Sequence, residues 1–312
     1  MTTALWRGLD ELPASLERSV VTIGVYDGVH LGHRAILARA RERADALGAP
    51  LVVVTFDPHP SEVVRPGTHP AMLTTLEHRA RLLGEAGADA VLVLHFSVQL
   101  SRLTPAEFVQ IVLVDRLRMV AVVVGANFRF GHRAVGTVET LADLGRELGF
   151  EVDGVELVGA GEVRWSSTYV RQCVAEGDTD EAARVLGRPH RVEGVVVHGD
   201  HRGRELGYPT ANLLVTGPTS IPADGVYAGW LVRASGDSLP AAISVGTNPT
   251  FSGAERRVEA YCIDEVGLDL YGEAVAVDFG PRLRDMVRFD AVEPLVAQMR
   301  EDVDRARAIT AG

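Results

Sequence analysis

Ten consecutive residues, Gly24-Val25-Tyr26-Asp27-Gly28-Val29-His30-Leu31-Gly32-His33, form the first group of side chains in this sequence that could do chemistry. They stand where an apolar run gives way to a helical pattern. A helix start offers unpaired N–H groups and a partial positive charge, which together attract phosphate. Gly28 and Gly32 keep side chains out of the way of a phosphate chain, and the three-residue spacing sets His30 and His33 on one face of the first turn. Taken alone, the pair also fits a metal site or capping histidines. A second group runs from Gly199 through Gly203, Arg204 and Gly207 into Pro209-Thr210-Ala211-Asn212. Its glycines let backbone N–H groups approach phosphates. Thr210 and Asn212, two apart, face one side of an extended segment. A hydroxyl and an amide carbonyl suit Mg²⁺, with ATP oxygens and water completing the shell. Alone, such a pair is more often a turn device.

The elements that must position these groups follow from pattern and composition. A chain of 312 residues with 46% hydrophobic and 23% charged residues has room for two globular domains. A net charge of −11 disfavours a general nucleic-acid binder. The sequence contains no lysine, so a P-loop lysine and a Schiff-base lysine are both excluded. Phosphate must be held by arginine, histidine, backbone N–H groups or a metal. Two cysteines, Cys173 and Cys262, build neither a disulfide framework nor a four-cysteine zinc site. No basic-then-apolar leader and no run long enough for a bilayer is present, so a cytoplasmic, membrane-free protein is expected.

In the first half, residues 20–25, 51–56, 90–94, 120–124 and 151–157 read as strands. Four are almost unbroken apolar runs, as in a parallel sheet covered on both faces. Between them lie helical patterns at 32–47, 76–86, 105–117 and 138–148, with Thr104 before Pro105 as a helix start and Gly48 and Gly149 as C-caps. Ligands of such a doubly wound domain bind beyond the carboxyl ends of the strands. Two short helices, 167–176 and 179–186, follow. After Gly187-Arg188-Pro189 the pattern changes to strands at 191–197, 226–233, 241–245, 257–263 and 273–279, then one amphipathic helix at 292–308. That half reads as an antiparallel barrel or sandwich, with the boundary near 186–190.

The first string resembles the HxGH signature of nucleotidylyl transferases. Further strings narrow the family: Thr55-Phe56-Asp57-Pro58-His59-Pro60, Gly125-Ala126-Asn127-Phe128-Arg129-Phe130-Gly131 and Arg164-Trp165-Ser166-Ser167-Thr168-Tyr169-Val170-Arg171. Together they resemble the FMN adenylyltransferase module of the prokaryotic bifunctional riboflavin kinase/FAD synthetases. In the second half, Asp224-Gly225-Val226-Tyr227-Ala228-Gly229, Gly246-Thr247-Asn248-Pro249-Thr250-Phe251, Arg257-Val258-Glu259-Ala260-Tyr261 and Asp269-Leu270-Tyr271-Gly272 follow the riboflavin kinase order. The resemblance implies that His30 and His33 contact the ATP phosphates and stabilise the transition state, with Asn127 helping. It implies that Gly24, Asp27, Gly28, Gly32, Arg164, Ser167, Thr168 and Arg171 serve the same ATP, and that Phe56, Pro58 and Phe128 line a flavin pocket. In the second half it gives Thr210 and Asn212 to Mg²⁺-ATP, Glu259 the role of base toward the ribityl 5′-hydroxyl, Gly199, Gly203, Arg204 and Gly207 to phosphate, and Tyr261 to flavin.

The expected fold class is therefore α/β plus β: a doubly wound parallel-sheet nucleotidylyltransferase domain over 1–187, and an antiparallel β-barrel with a terminal helix over 188–312. The expected partners are riboflavin, FMN, FAD, ATP, ADP and pyrophosphate, with Mg²⁺ as cofactor and no nucleic acid or membrane; a homo-oligomer is left open. Three other readings use the same residues: a nucleotidyl transferase with another acceptor, a flavin sensor without chemistry, and a synthetase-like RNA binder. The kinase strings, the full set of polar groups and the acidic charge argue against them in turn.

Overall fold

The computed structural model describes residues 3–156, 159–160, 163–199, 206–250 and 253–311. Leu157, Gly203, Arg204 and Phe251 lie outside the described residues, as do the side chains of Arg164 and of 248–250. The chain forms two compact units, one of Met1–Pro70 and Leu76–Ser166, the other of Ala71–Thr75 and Ser167–Gly312.

In the first unit six parallel strands make one sheet: β1 Ala4–Arg7, β2 Ser19–Ile23, β3 Leu51–Asp57, β4 Ala90–His95, β5 Met119–Gly125 and β6 Glu151–Val155, in the order β1-β4-β3-β2-β5-β6. Strand residues alternate between two buried faces. Val21, Val52, Leu92 and Val122 pack with Phe108, Val112 and Leu113 in one core cluster. Val20, Leu51, Ala121 and Val123 pack on the other side with Ala40 and Ala44. Coverage of both faces explains the unbroken apolar runs. The covering helices are α1 Leu31–Leu47, α2 Pro60–Val64, α3 Leu76–Glu85, α4 Val98–Ser101, α5 Pro105–Phe108 and α6 Val138–Leu148; α5 continues as a π-helical stretch, Val109–Arg116. Thr104 and Glu107 form a capping box at α5, and Gly48 and Gly149 end α1 and α6 in left-handed geometry. Strand order reverses between β2 and β5. That switch point, at the carboxyl ends of the strands, is where an open α/β sheet presents a crevice. β1 is an addition to the expected set: at four residues it is too short to show a period. Beyond β6, Gly159–Ala160 (β7) and Val163–Arg164 (β8) form a small antiparallel pair.

The second unit opens with α7 Ser167–Glu176 and α8 Thr179–Leu186. A closed antiparallel barrel follows, of β9 His190–Val197, β10 Ala211–Leu214, β11 Gly225–Arg233, β12 Ser238–Thr250, β13 Gly253–Cys262 and β14 Ala274–Arg284, in the order β10-β13-β12-β11-β14-β9. Period two again sorts its residues. Tyr227, Leu231, Ile243, Val258 and Phe279 fill the interior, while Val226 and Ala228 face outward and pack with Val303 and Ala306 of α9 Val292–Thr310. Closure leaves no unpaired strand edge around the ring.

Pattern change and packing part company at the boundary. The barrel begins at His190, but the compact unit starts at Ser167. The cause is that α7 and α8 pack on the barrel: the Thr179 hydroxyl donates to Gly280 O at 2.6 Å, and Ala223 N donates to Val174 O at 3.2 Å. Residues 71–75 also belong to this unit. Met72 N donates to Pro218 O at 2.6 Å, Ser220 N donates to Met72 O at 2.9 Å, and Arg171 Nε donates to Ala71 O at 2.8 Å.

Candidate active sites

The first string folds as a tight loop between β2 and α1. Tyr26, Gly28 and Val29 all have positive φ (54°, 79° and 40°), so the chain turns sharply before entering the helix. His30 is the N-cap of α1, and its Nδ1 accepts from His33 N at 3.4 Å. The His30 and His33 rings stack with centroids 3.6 Å apart, and Tyr26 meets His33 edge-on at 5.0 Å. A Cβ on Gly32 would come within 3.1 Å of the His30 ring, so any side chain there would press on that imidazole. Burial, then the neighbouring His30 and Arg79 charges, hold the His33 imidazole well below its ordinary pKa and therefore neutral. Its Nδ1 is buried with no hydrogen-bond partner among the described residues. Asp27 and His30 are buried too.

The other strings of this unit lie at the ends of β3 and β5, on the same sheet edge as the loop after β2. Asn127 is exposed in the turn after β5. Phe128 stacks on Phe130, Phe56 meets Phe96 edge-on, and Phe56 and Phe128 both pack against the core beneath the sheet. Pro58 follows a cis peptide bond. Ser167 and Thr168 start α7 in the second unit, and Arg171 gives its Nε to Ala71 O. One residue that sequence reasoning did not single out stands out. Arg79, on α3, donates from Nη1 to Val25 O at 2.8 Å, and Thr55 Oγ1 donates to the same oxygen at 2.9 Å.

In the second unit the polar groups converge on the outer face of the barrel. Asn212 pairs in register with Glu259, and Glu259 with Ser244, on three adjacent strands. Their sequence neighbours Leu213, Val258, Ala260 and Ile243 fill the interior, so these three side chains share the outward face. The Thr210 hydroxyl donates to Glu259 Oε2 at 3.3 Å, and Asn212 Nδ2 donates to Thr210 O at 3.3 Å. Gly199 lies against the Asn212 amide so closely that a Cβ would come within 2.4 Å of it. The described donors here are a hydroxyl, an amide and a carboxylate, all hard oxygen ligands. No group of three or more His, Cys, Asp or Glu able to hold a metal occurs among the described residues. The set fits a hard divalent cation that arrives with ATP.

Beside these groups lies a cavity of about 260 Å³, with Thr210, Glu259 and Tyr261 in its wall. Tyr208, Met286, Phe289, Leu295 and Met299 supply apolar lining, and Tyr208 meets Tyr261 edge-on at 5.2 Å. Burial raises the Tyr261 phenol pKa. At the cavity wall Arg284 grips Asp302 of α9 through Nε at 3.0 Å and Nη2 at 2.7 Å, and Gln298 donates to the same carboxylate at 3.1 Å. Asp302 is almost fully buried. Asp302→Ala leaves the Arg284 guanidinium without its counter-ion, and is expected to cost about 3–5 kcal/mol. A lowered midpoint for the barrel transition in chemical denaturation checks this. The sequence pointed to Thr210, Asn212 and Glu259 but not to α9 as a cavity wall, because an amphipathic pattern reports only that one face is covered.

Comparison with known proteins matches two segments of the chain to two family models. Residues 12–169 match FAD synthetase and residues 186–310 match riboflavin kinase. A bifunctional riboflavin kinase/FMN adenylyltransferase of Pseudomonas fluorescens is 42% identical over 98% of both chains. The chain belongs to the bifunctional riboflavin kinase/FMN adenylyltransferase family. Its Escherichia coli K12 counterpart is 38% identical over 97% of this chain and 96% of its own. A crystal structure described as a macrolide-efflux protein from Streptococcus pneumoniae superposes with a TM-score of 0.89 at 34% identity, covering 98% of this chain and 99% of that one. No described helix of this chain is long and apolar enough to cross a membrane.

Proposed function

We infer that each activity of this family resides in one of the two sites described, and that the named side chains carry it. The enzyme is a riboflavin kinase and an FMN adenylyltransferase; its substrates are riboflavin, FMN and ATP, and FAD is the product. The observation that supports the assignment is that the stacked His30–His33 pair lies within the FAD synthetase segment and the Thr210, Asn212 and Glu259 group within the riboflavin kinase segment.

In the kinase site the 260 Å³ cavity holds the flavin, with its apolar lining against the ring system. The ribityl 5′-hydroxyl then faces Glu259. That oxygen attacks the γ-phosphorus of ATP, its proton passes to the Glu259 carboxylate, and ADP leaves. The Thr210 hydroxyl steadies Glu259 Oε2 in the free enzyme. Thr210 and Asn212 would hold Mg²⁺ with the nucleotide; bound there, the ion supplies charge neutralisation on the phosphates. The glycine loop Gly199, Gly203, Arg204 and Gly207 is assigned to phosphate on the strength of its motif, and Tyr261 to the flavin.

In the adenylyl-transfer site an FMN phosphate oxygen attacks the α-phosphorus of ATP and pyrophosphate leaves. No protein nucleophile is needed, so catalysis consists of positioning and charge stabilisation. His30 and His33 stand at the positive end of α1, where phosphate oxygens bind. Neutral His33 offers a ring N–H without the burden of a buried charge. Gly24, Asp27, Gly28 and Gly32 shape the loop, and Asn127 adds a donor. Arg164, Ser167, Thr168 and Arg171 are assigned to phosphate from their motif alone, and Phe56, Pro58 and Phe128 to the flavin. A cytoplasmic enzyme fits the two buried free cysteines.

Purified protein given riboflavin, ATP and Mg²⁺ is expected to yield FMN and then FAD by chromatography; absence of both would refute the assignment. Gly199→Ala forces the Asn212 amide to move. It is expected to lower FMN formation while leaving FMN-to-FAD conversion at the wild-type rate, as read by separate assays of the two steps.

A further inference from the structure

Arg79 is a cation with only 3% of its surface exposed, and it belongs to none of the strings discussed above. It reaches from α3 to the Val25 carbonyl at 2.8 Å and lies 3.4 Å from the Thr55 hydroxyl, itself a donor to that carbonyl. One oxygen therefore takes two side-chain donors. It does so where the chain leaves β2 and enters the left-handed stretch of Tyr26, Gly28 and Val29. A valine at φ 40° is an expensive conformation that persists only where its surroundings over-determine it. Thr55 already satisfies the carbonyl, so hydrogen-bond bookkeeping alone does not call for a buried guanidinium there.

Burial lowers the Arg79 pKa and nearby carboxylates only partly offset it, so the guanidinium is held there at a cost. Asp27 of the loop and Asp57 at the end of β3 act electrostatically on the guanidinium, as does Glu77 two residues before it on α3. The cation thus ties the first string to the second, on neighbouring strands, through both a hydrogen bond and its field. It also acts on His33, the ring stacked on His30. Resting on the reading of this loop as the adenylyl-transfer site, we propose that Arg79 is a positioning residue for that reaction. It clamps the Val25 carbonyl so that the loop presents His30 and His33 to the nucleotide in one fixed arrangement. The guanidinium touches no reacting atom; it acts through the loop.

The test uses the full chain and both assays: FMN plus ATP to FAD, and riboflavin plus ATP to FMN. Arg79→Met is expected to lower kcat for FAD formation about 10²-fold, the scale of a small misplacement of catalytic groups. The KM for ATP should stay nearly unchanged and the kinase rate should remain wild-type. Arg79→Lys keeps a cation and a donor but not the planar fork, and is expected to recover most of the lost kcat. A purely structural pin would instead reduce both activities together with the folded fraction, without lysine rescue; that pattern overturns the proposal. So does an Arg79→Met enzyme with wild-type kcat, or one altered only in KM. Should Arg79→Met fail to fold, Arg79→Gln decides, because it keeps a polar, hydrogen-bonding side chain in the buried site while removing the guanidinium that reaches the Val25 carbonyl. A lowered kcat for FAD with an intact kinase supports the clamp, and an unchanged kcat overturns it. Wild-type protein that makes no FAD would sink the site reading and the proposal together. Wild-type protein that makes FAD beside an unimpaired Arg79→Met enzyme sinks the proposal alone.

Discussion

Glu259→Gln should abolish FMN formation while FMN is still converted to FAD. The substitution keeps the size of the side chain and its place opposite Asn212 and Ser244 on the outer barrel face. It also keeps an oxygen for the Thr210 hydroxyl, which donates to Glu259 Oε2 in the native protein. What it removes is the capacity to take a proton. A positioned general base is worth about 10²–10⁴-fold in rate, and the kinase kcat should fall by that amount with riboflavin binding preserved. Rate assays of the two half-reactions on one preparation give the answer. A kinase that keeps near-normal kcat would show that the ribityl proton leaves by another route, and the role given to Glu259 would be wrong.

The second large effect is expected at His30→Asn. Asparagine is among the best N-cap residues, so α1 keeps an acceptor for the His33 N–H and the start of the helix survives. The imidazole is lost, together with the stacked His30–His33 pair. Removing one preorganised donor to developing phosphate charge typically costs about 10²–10³ in kcat. FAD formation from FMN should fall by that factor, and the kinase should be untouched. Equal loss of both activities in a folded protein would break the assignment of one reaction to each site.

How much of this could be read beforehand depended on how local the cause was. Alternation of Val20 and Val21, or Val53 and Val54, between two covered faces showed itself as unbroken apolar runs, and the parallel sheet followed. The caps at Thr104, Gly48 and Gly149 were equally plain, since each rests on residues a few positions apart. The loop before α1 was legible because its chemistry and its glycines sit in one string. β10 was not: Pro209 and Asn212 carry turn character, and only pairing with β9 and β13 makes Ala211–Leu214 a strand. Arg79 was invisible for a similar reason. Its partner lies 54 positions away, and a lone arginine on an amphipathic helix reads as solvent-facing. The Arg284–Asp302 pair at the cavity wall depends on α9 folding back across β14, which no local pattern announces.

The pentapeptide Ala71–Thr75 makes this protein hard to divide with a single cut. Although it lies in the first quarter of the chain, it is stitched to Pro218 and Ser220. A fragment starting at Ser167 would strand a carbonyl and an amide that now bond to Met72, and either water or a non-native strand would have to serve them. Gene fission, circular permutation or a domain transplant must therefore carry that short splint along, or supply it as a separate peptide, for the severed half to keep its native edge.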